Sequence, residues 1–537
     1  MRFTLKRFYG FLSSFKRSKR GLAGLAILLI FTLVAAGAPL LAHHDPVNDF
    51  FVAGYYAKPD WYDTLFPNEP QSRNIDIVPN KGFNDSSTMK DFNITTASSQ
   101  ISSSYVSSIG RNSPGCVSFT YRRTGVKGGT HTLNLSKMFT YSYTAPLARF
   151  LASAEFYVGG STFVDARSQT KLDVPVKIDI YIKRLNGTAV ATCNLLDVLY
   201  AVRALRAVPS PVTDPTDSWL PIGTSSMDST FMIGRLGLQY GYLMQDFIDA
   251  KRHYSSPAEN TTDPATLIFD QTGTFIYSVE LTFQDDTYLS KNTSVETTVY
   301  VDDVDFSGLG SAYGVLGTDT MGRDIFSQLI YGSRISLLVG ITSAIIAVAI
   351  GLVVGMVAGY QGGIIDELLM RITDALLVVP YLPLLLVLVA VLGNNLWNLI
   401  GVIGVLGWMG FARVVRSMIL SLKERPFIES AKAIGAGNVH IMTFHILPNV
   451  MALVYVTLAM TVPNAIVSEA ALSFLGFFDP NVMSWGRMLN DVQTGFNMDK
   501  WWWVVPPGLL ISFVALAFIF VGYALDDVLN PKLRQRR

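Results

Sequence analysis

The stretch Ile428–Asn449, IESAKAIGAGNVHIMTFHILPN, is a polar interruption between two long apolar runs. It starts with a short helix-forming segment that Gly435 or Gly437 can end, because glycine tolerates the left-handed backbone conformation. The many alanines and glycines leave little side-chain bulk, so a partner can approach the backbone closely. Pro448 lacks a backbone N–H and therefore suits the first turn of a following helix. The stretch predicts an exposed contact loop between two membrane-spanning helices.

The composition of the chain is typical of a membrane protein. Of its 537 residues 50% are hydrophobic and 15% are charged, the net charge is +1 and the mean hydropathy is +0.34. A nucleic-acid-binding protein would carry a basic excess, so that class is excluded and the lipid bilayer is the expected environment. The two cysteines, Cys116 and Cys193, are too few for a disulfide scaffold and lack metal-site spacing. They either form one disulfide outside the cell or remain two buried thiols.

Apolar and polar stretches divide the chain into three parts. Residues 1–42 hold a basic, amphipathic cytoplasmic N-terminus and a first membrane span, with a cleaved signal peptide as the alternative. Residues 43–312 are rich in Ser, Thr, Asn and Tyr and contain no apolar run of spanning length. Residues 313–537 are apolar again and carry the contact loop at 421–448. Five further spans are predicted there, at about 334–359, 368–393, 396–420, 449–473 and 503–526.

The basic segments predict the orientation in the cell membrane. Lys and Arg cluster before the first span, in the contact loop and at the C-terminus, which places both termini and that loop in the cytoplasm. The polar region 43–312 then lies outside. All six Asn-x-Ser/Thr sequons fall in this region, either by chance in an Asn/Thr-rich composition or as N-glycosylation sites. They begin at Asn84, Asn93, Asn134, Asn186, Asn260 and Asn292.

Alternation of apolar and polar residues indicates strands in the outer region. Such runs are Val117–Tyr121, Val174–Lys183, Phe275–Phe283 and Val295–Val301. Strands with one buried face predict an antiparallel, jelly-roll-like β-sandwich. Helices are expected at 195–207 and 236–250. The acidic cluster of Asp302, Asp303 and Asp305 is expected in a solvated loop, with a calcium site as the alternative.

Two sets of residues resemble motifs of one known family, the permease subunits of ATP-binding-cassette (ABC) importers. The pattern of the cytoplasmic coupling loop in that family is matched by Glu429, Ala431, Gly435, Leu447 and Pro448, with the small residue Ser430 in place of an alanine. The segment before the second span resembles the signature of C-type dipeptide/oligopeptide permeases. Its matching residues are Gly317, Thr318, Asp319, Gly322, Arg323 and Asp324. The large outer region departs from the family pattern, in which this connection is short.

The resemblance implies a type I ABC importer permease fold with six transmembrane helices, forming half of the translocation pathway for di- or oligopeptides. The implied partners are a second permease, two ATPases that bind ATP and Mg²⁺, and an external substrate-binding protein. The sequence itself contains no Gly-x-x-x-x-Gly-Lys-Ser/Thr phosphate loop, so another chain must hydrolyse ATP. No cofactor, catalytic residue or metal ligand is nominated. The alternatives are import of oligosaccharides or nickel, or a membrane-anchored surface binding protein.

Ionisable residues within the predicted spans are candidates for the pathway or its gates. Arg371 and Asp374 are one helical turn apart, as are Arg413 and Arg416. These four side chains either reach the membrane interface along their aliphatic stems or line the inner vestibule. Glu469, near the outer end of the fifth span, is expected at the outer gate.

The orientation is testable with an impermeant thiol reagent. Because the polar region is expected outside and the contact loop inside, Asp270→Cys should be labelled in intact cells and Lys432→Cys should not. Labelling is measured against the background of Cys116 and Cys193. The reverse pattern would overturn the orientation.

Overall fold

The structure is a computed structural model that describes residues 18–78, 82–110, 113–124, 128–164, 176–186, 189–200, 220–225, 269–285 and 294–529. The chain divides into two compact units. The β unit comprises Phe51–Tyr313, and the helical unit comprises Met1–Phe50 with Gly314–Arg537.

The β unit is built from two antiparallel sheets. Its strands are β1 (Ile75–Asp76), β2 (Asn93–Thr96), β3 (Ile101–Val106), β4 (Cys116–Thr124), β5 (Thr130–Tyr141), β6 (Arg149–Val164), β7 (Val176–Asn186), β8 (Ala189–Tyr200), β9 (Leu220–Ser225), β10 (Gly273–Gln284) and β11 (Ser294–Leu309). One sheet has the order β3-β4-β11-β6-β9, with β1 also paired to β11, and the other has the order β2-β5-β10-β7-β8. The two strands that come last in the chain are thus central, and both contain runs of period two in the sequence.

The facing sides of the two sheets form one apolar core, as the predicted sandwich requires. Val299 lies opposite Phe119 in the first sheet, and Val279 lies opposite Leu135 in the second. All four side chains are buried in a single cluster that contains residues of both sheets. Each buried side chain of this size stabilises the fold by about 1.5–3 kcal/mol.

Two predictions in this region are wrong. Residues 195–200 belong to strand β8 and are not helical. This strand pairs with β7 in an antiparallel register that begins with Val176 opposite Tyr200 and ends with Asn186 opposite Ala189. Cross-strand pairing outweighs the local preference of this Leu-rich stretch. Asp302 and Asp305 are buried within β11 on either side of a bulge at Asp303, rather than lying in a solvated loop. The other predicted helical residues, 201–207 and 236–250, lie outside the described residues.

Cys116 is a free thiol buried in β4, so the structure does not contain the disulfide with Cys193 that was one of two alternatives. Burial, together with the negative charge of Asp302, raises the pKa of this thiol to about 12. A thiol that stays protonated is a poor nucleophile. The side chain of Cys193 lies outside the described residues.

Two consecutive arginines of β4 form ion pairs in opposite environments. Arg123 Nε donates to Asp285 Oδ2 at 2.6 Å, and the two side chains are 1% and 0% exposed. Tyr121 Oη also donates to Asp285, at 2.9 Å. Arg122 instead donates to Glu296 on the exposed face of the same sheet.

Within the described residues the helical unit contains twelve α-helices. They are α1 (Lys19–Ala36), α2 (Ala38–Leu41), α3 (Ile325–Gln361), α4 (Gly363–Val378), α5 (Tyr381–Leu392), α6 (Leu396–Leu406), α7 (Met409–Lys423), α8 (Pro426–Ala433), α9 (Asn438–His440), α10 (Leu447–Phe474), α11 (Trp485–Thr494) and α12 (Trp501–Leu529), the last counted as the C-terminal span. Among the described residues, five helical segments are long and apolar enough to cross a membrane, or six if the bent pair α4–α5 counts as one span.

The predicted spans at 368–393 and 396–420 are not continuous helices. Helices α4 and α5 meet at 92°, because Pro380 lacks an N–H and disfavours helical backbone at Val379. The next span breaks at Gly407 and Trp408, between α6 and α7.

A stripe of glycines brings α3 and α7 into close contact. A Cβ atom would lie 2.8 Å from the Trp408 carbonyl oxygen if placed on Gly351, and 2.6 Å from that of Ala412 if placed on Gly355. A Cβ atom on Gly359 would lie 2.9 Å from the side chain of Ile419 and 3.0 Å from the carbonyl oxygen of Arg416. Small residues at every fourth position allow such backbone approach between membrane helices.

The β unit provides a matched pair of stability variants. We expect residues 51–313 to be expressed alone with a strand-dominated circular dichroism spectrum. In this fragment Arg123→Met should lower the free energy of unfolding by about 3–5 kcal/mol, because it leaves Asp285 buried without its cation. Arg122→Met removes an exposed pair and should leave the urea midpoint unchanged. Equal midpoints for the two variants would contradict the assignment, and a helical or unfolded fragment would remove the sandwich.

The glycine stripe predicts a second contrast. Gly355→Ala should destabilise the protein in detergent by about 1–3 kcal/mol, because the methyl group overlaps the α7 backbone. Gly401→Ala, on α6, adds a methyl group where no atom lies within 4 Å and should be neutral. Thermal unfolding of both variants tests the contact, and an unchanged midpoint for Gly355→Ala would refute it.

Candidate coupling and translocation site

The predicted coupling loop folds as a chain of short helical pieces. Helix α8 has Pro426 in its first turn, and Gly435 follows its end with φ +86°, a conformation that favours glycine. This confirms that Gly435 terminates the helix. Helix α9 leads into a π-helix at Ile441–Ile446, and Pro448 stands in the first turn of α10.

One side of this region is anchored in the helical unit. Ile428, Ala431, Ile441 and Ile446 are buried in a cluster that also contains residues of α3, α7 and α10. Movement of the anchored region must therefore displace these helices.

Tyr360, at the end of α3, is a second anchor of this region. Its hydroxyl group donates to Asn438 Oδ1 at 3.0 Å. The ammonium groups of Lys423 and Lys432 lie 5.8 and 5.9 Å from the centre of its ring, which is within range of a cation–π interaction. Tyr360 stands in the Gly-Tyr-x-Gly-Gly sequence at 359–363, but its contacts could not be predicted from that motif because its partners come from other helices.

The same region also exposes large apolar residues, which we call the coupling surface. They are Phe427 (43% exposed), Ile434 (85%), Val439 (76%) and Phe444 (68%). Glu429, Ser430 and Gly435 are exposed beside them, whereas Ala431 is buried and Leu447 and Pro448 begin α10. An exposed apolar patch rimmed by polar residues is characteristic of a protein interface.

The π-helix places one additional residue in a single helical turn beside the coupling surface. The ring of His440 lies 4.7 Å from that of Phe444, which is part of this surface. π-helical turns are uncommon and recur at functional sites. No sequence pattern predicted this π-helical turn.

The residues of the upstream signature form a buried polar network rather than a binding cleft. Arg323 Nε donates to Asp319 Oδ2 at 2.7 Å, and its NH2 group donates to Asp491 of α11 at 3.0 Å. Gln328 also donates to Asp319, at 2.7 Å. Burial raises the pKa of Asp491 above its ordinary value, and it outweighs the positive charge of Arg323, which acts to lower that pKa.

The remaining signature residues shape the start of α3. Asp324 is the N-cap of this helix and accepts hydrogen bonds from the backbone N–H groups of Phe326 and Ser327. Gly317 and Gly322 both have positive φ angles, of 74° and 69°, and Thr318 is fully buried beside them. The signature fixes the entry of the chain into α3.

The candidate pathway charges pair between helices. Arg413 of α7 forms an ion pair with Asp374 of α4. One turn further along, the Nε and NH2 groups of Arg416 each donate to a carboxylate oxygen of Asp366, both at 2.5 Å. The sequence motif drew attention to Asp374 but not to Asp366, whose partner is 50 residues away.

The other two candidate pathway residues, Arg371 and Glu469, take no part in the ion pairs between α4 and α7. Arg371 pairs with Glu367 on its own helix at 2.6 Å, with both side chains largely exposed. Glu469 is buried, and its Oε1 accepts a hydrogen bond from Ser473 at 2.8 Å. Glu469 is not among the residues that line the large cavity described next, and its assignment to the outer gate stays a prediction.

A cavity of about 690 Å³ lies among α3 to α7, α10 and α12. Its polar lining comes from Ser343, Thr461, Asn464 and Ser468, and the rest is mostly apolar. A volume of this size is within the range of small-molecule sites. Among the described residues no group of three or more His, Cys, Asp or Glu is placed to hold a metal ion.

Comparisons with known proteins agree with this architecture. The family described as "Binding-protein-dependent transport system inner membrane component" matches residues 351–535, and the "N-terminal TM domain of oligopeptide transport permease C" matches residues 8–59. The chain is similar to the dipeptide transport system permease protein DppC of Bacillus subtilis, with 41% identity over 220 residues, 41% of this chain and 69% of the relative.

A second permease and a solved structure are also similar to parts of the chain. DppC of Haemophilus influenzae is 38% identical over 231 residues, which are 43% of this chain and 78% of the relative. A solved structure of the MetNI methionine ABC transporter aligns with 39% of this chain and 96% of its own, at 18% identity and a TM-score of 0.30. Because both DppC relatives are matched over more than two thirds of their length, the chain belongs to the family of binding-protein-dependent ABC transporter permeases, among the dipeptide and oligopeptide transport permeases.

Proposed function

We propose that the chain forms half of the membrane pathway of an ATP-driven importer for di- or oligopeptides. The observation that carries the proposal is the coupling surface, an exposed apolar patch anchored to the same helix, α7, that borders the large cavity. The substrate class rests on the two DppC relatives, which are named as dipeptide permeases.

The coupling surface is the proposed docking site for an ATPase subunit. Phe427 lies at the start of α8 and Ile434 directly after its end, so that a groove on the ATPase can enclose both side chains. Ile428 of α8 transmits the displacement to α7, because it is fully buried in a cluster that contains residues of both helices. The complete machine would contain a second permease, two ATPases that bind ATP and Mg²⁺, and an external binding protein.

The proposed orientation places the coupling surface and both termini in the cytoplasm and the β unit outside. Net basic loops on the coupling side support this orientation. Asn84 and Asn93, which begin two of the sequons, have exposed side chains and are accessible for glycosylation. Docking of the binding protein is the proposed role of the β unit.

Gly437 provides the sharpest test of docking. It has φ −68°, which any residue can adopt, and no atom lies within 4 Å of an added Cβ. Gly437→Trp should therefore preserve folding but obstruct the ATPase, lowering substrate-stimulated ATP turnover of the reconstituted complex by roughly tenfold or more. Uptake of a radiolabelled tripeptide should fall in parallel.

Two controls separate obstruction from misfolding. Thermal unfolding of the isolated permease should be the same for Gly437→Trp and wild type. Gly435→Ala adds strain at φ +86° with little bulk, so it should lower the unfolding midpoint while ATP turnover of the folded fraction is retained. Full ATP turnover by Gly437→Trp would refute docking, and absence of peptide uptake by the wild-type complex would refute the peptide importer.

A further inference from the structure

We infer that Arg413 is a cargo-binding residue that receives a carboxylate group of the peptide as it leaves the cavity, with Asp374 as its counter-ion when no cargo is present. This inference rests on the proposed function and adds a binding residue to it.

The position of the Arg413–Asp374 pair is the first support. Leu377 of α4 and Gly410 of α7 line the large cavity, and each lies three residues from one member of the pair. Three residues of helix correspond to about 4.5 Å along the axis, so the pair lies one turn below the cavity, towards the coupling surface.

A second pocket continues from Arg413 in the same direction. It has a volume of about 650 Å³ and lies between α7 and Leu453 of α10. Its polar lining consists of Arg413, Ser417, Ser421 and Arg425, four residues at helical spacing. Arg413 is therefore the first of a series of polar side chains that runs from the cavity to the start of α8.

The exposure of the pair is the third support. The side chains of Arg413 and Asp374 are 50% and 56% exposed, although Arg413 belongs to a segment long enough to span a membrane and Asp374 to the bent pair α4–α5. Ionisable side chains in such apolar segments are costly against lipid and generally face water or protein. A pair that faces an aqueous path has partners to exchange, and a guanidinium group matches the geometry of a carboxylate.

The neighbouring pair explains how Arg413 can exchange partners without loss of helix packing. Arg416 and Asp366 are 34% and 12% exposed and make two hydrogen bonds. This more deeply buried contact holds α4 to α7. The Arg413–Asp374 contact can consequently open while the two helices remain in place.

The test uses the complete transporter in proteoliposomes with two probes, trialanine and trialanine amide. For each permease variant we take the ratio of trialanine uptake to trialanine amide uptake. Dividing it by the ratio of the affinities of the two probes for the isolated binding protein gives a corrected ratio, from which the preference of the binding protein has been removed. Arg413→Gln should lower the corrected ratio by roughly tenfold, the size expected for loss of a hydrogen bond to a charged group. Arg413→Lys, which keeps the charge, should restore most of it.

Two further variants separate binding from structure. Arg371→Gln removes an exposed arginine whose partner is on its own helix, and its corrected ratio should equal that of the wild type. Asp374→Asn breaks the same ion pair as Arg413→Gln but leaves the cation, so it should retain the preference for the acid. If Asp374→Asn and Arg413→Gln lose the preference equally, the pair is only a structural contact and the inference is wrong.

The outcomes distinguish this inference from the function on which it rests. Absence of uptake of either probe by the wild-type complex would refute the peptide importer. Uptake by the wild type with an unchanged corrected ratio in Arg413→Gln would overturn the carboxylate site alone.

Discussion

Close backbone contact between α3 and α7 is the constraint on which the helical unit depends. Gly351, Gly355 and Gly359 leave room for the carbonyl groups and side chains of α7, and no larger residue fits at Gly355 without displacement of that backbone. Lipid offers no hydrophobic driving force between helices, so their association depends on packing contacts of this kind. The glycine stripe thereby determines where α7 lies.

The position of α7 in turn determines three features of the site. Gly410 lines the cavity, Arg413 and Arg416 meet the carboxylates of α4, and Ile419 packs in the cluster that anchors α8. Cavity, charges and coupling surface are consequently arranged along one helix of about 22 Å, at 1.5 Å per residue. Such an arrangement requires no long chain of intermediate contacts to connect the surface to the cavity.

The sequence predicts what depends on local pattern. Period-two runs identified the central strands β10 and β11, and the spacing of Glu429, Gly435 and Pro448 identified the coupling region. The break at Pro380 was not predicted, because the span at 368–393 was expected to be continuous, although a proline inside an apolar run disfavours continuous helix. Features that depend on distant partners were not readable. The strand at 195–200 is specified by its pairing with β7. Asp366 becomes a candidate pathway residue only because the structure shows its ion pair with Arg416, 50 residues away in the sequence.

The ion pairs between α4 and α7 also constrain how the protein enters the bilayer during synthesis. Arginine and aspartate side chains oppose the insertion of a helix, by about 2.5–3.5 kcal/mol each on translocon scales when they stand at the helix centre. Helix α4 carries two aspartates and α7 two arginines, and each helix supplies the counter-charges of the other. Stable integration of α4 therefore depends on a helix that is synthesised later. Loss of Asp366 would then be expected to reduce the amount of protein that survives quality control before it alters transport.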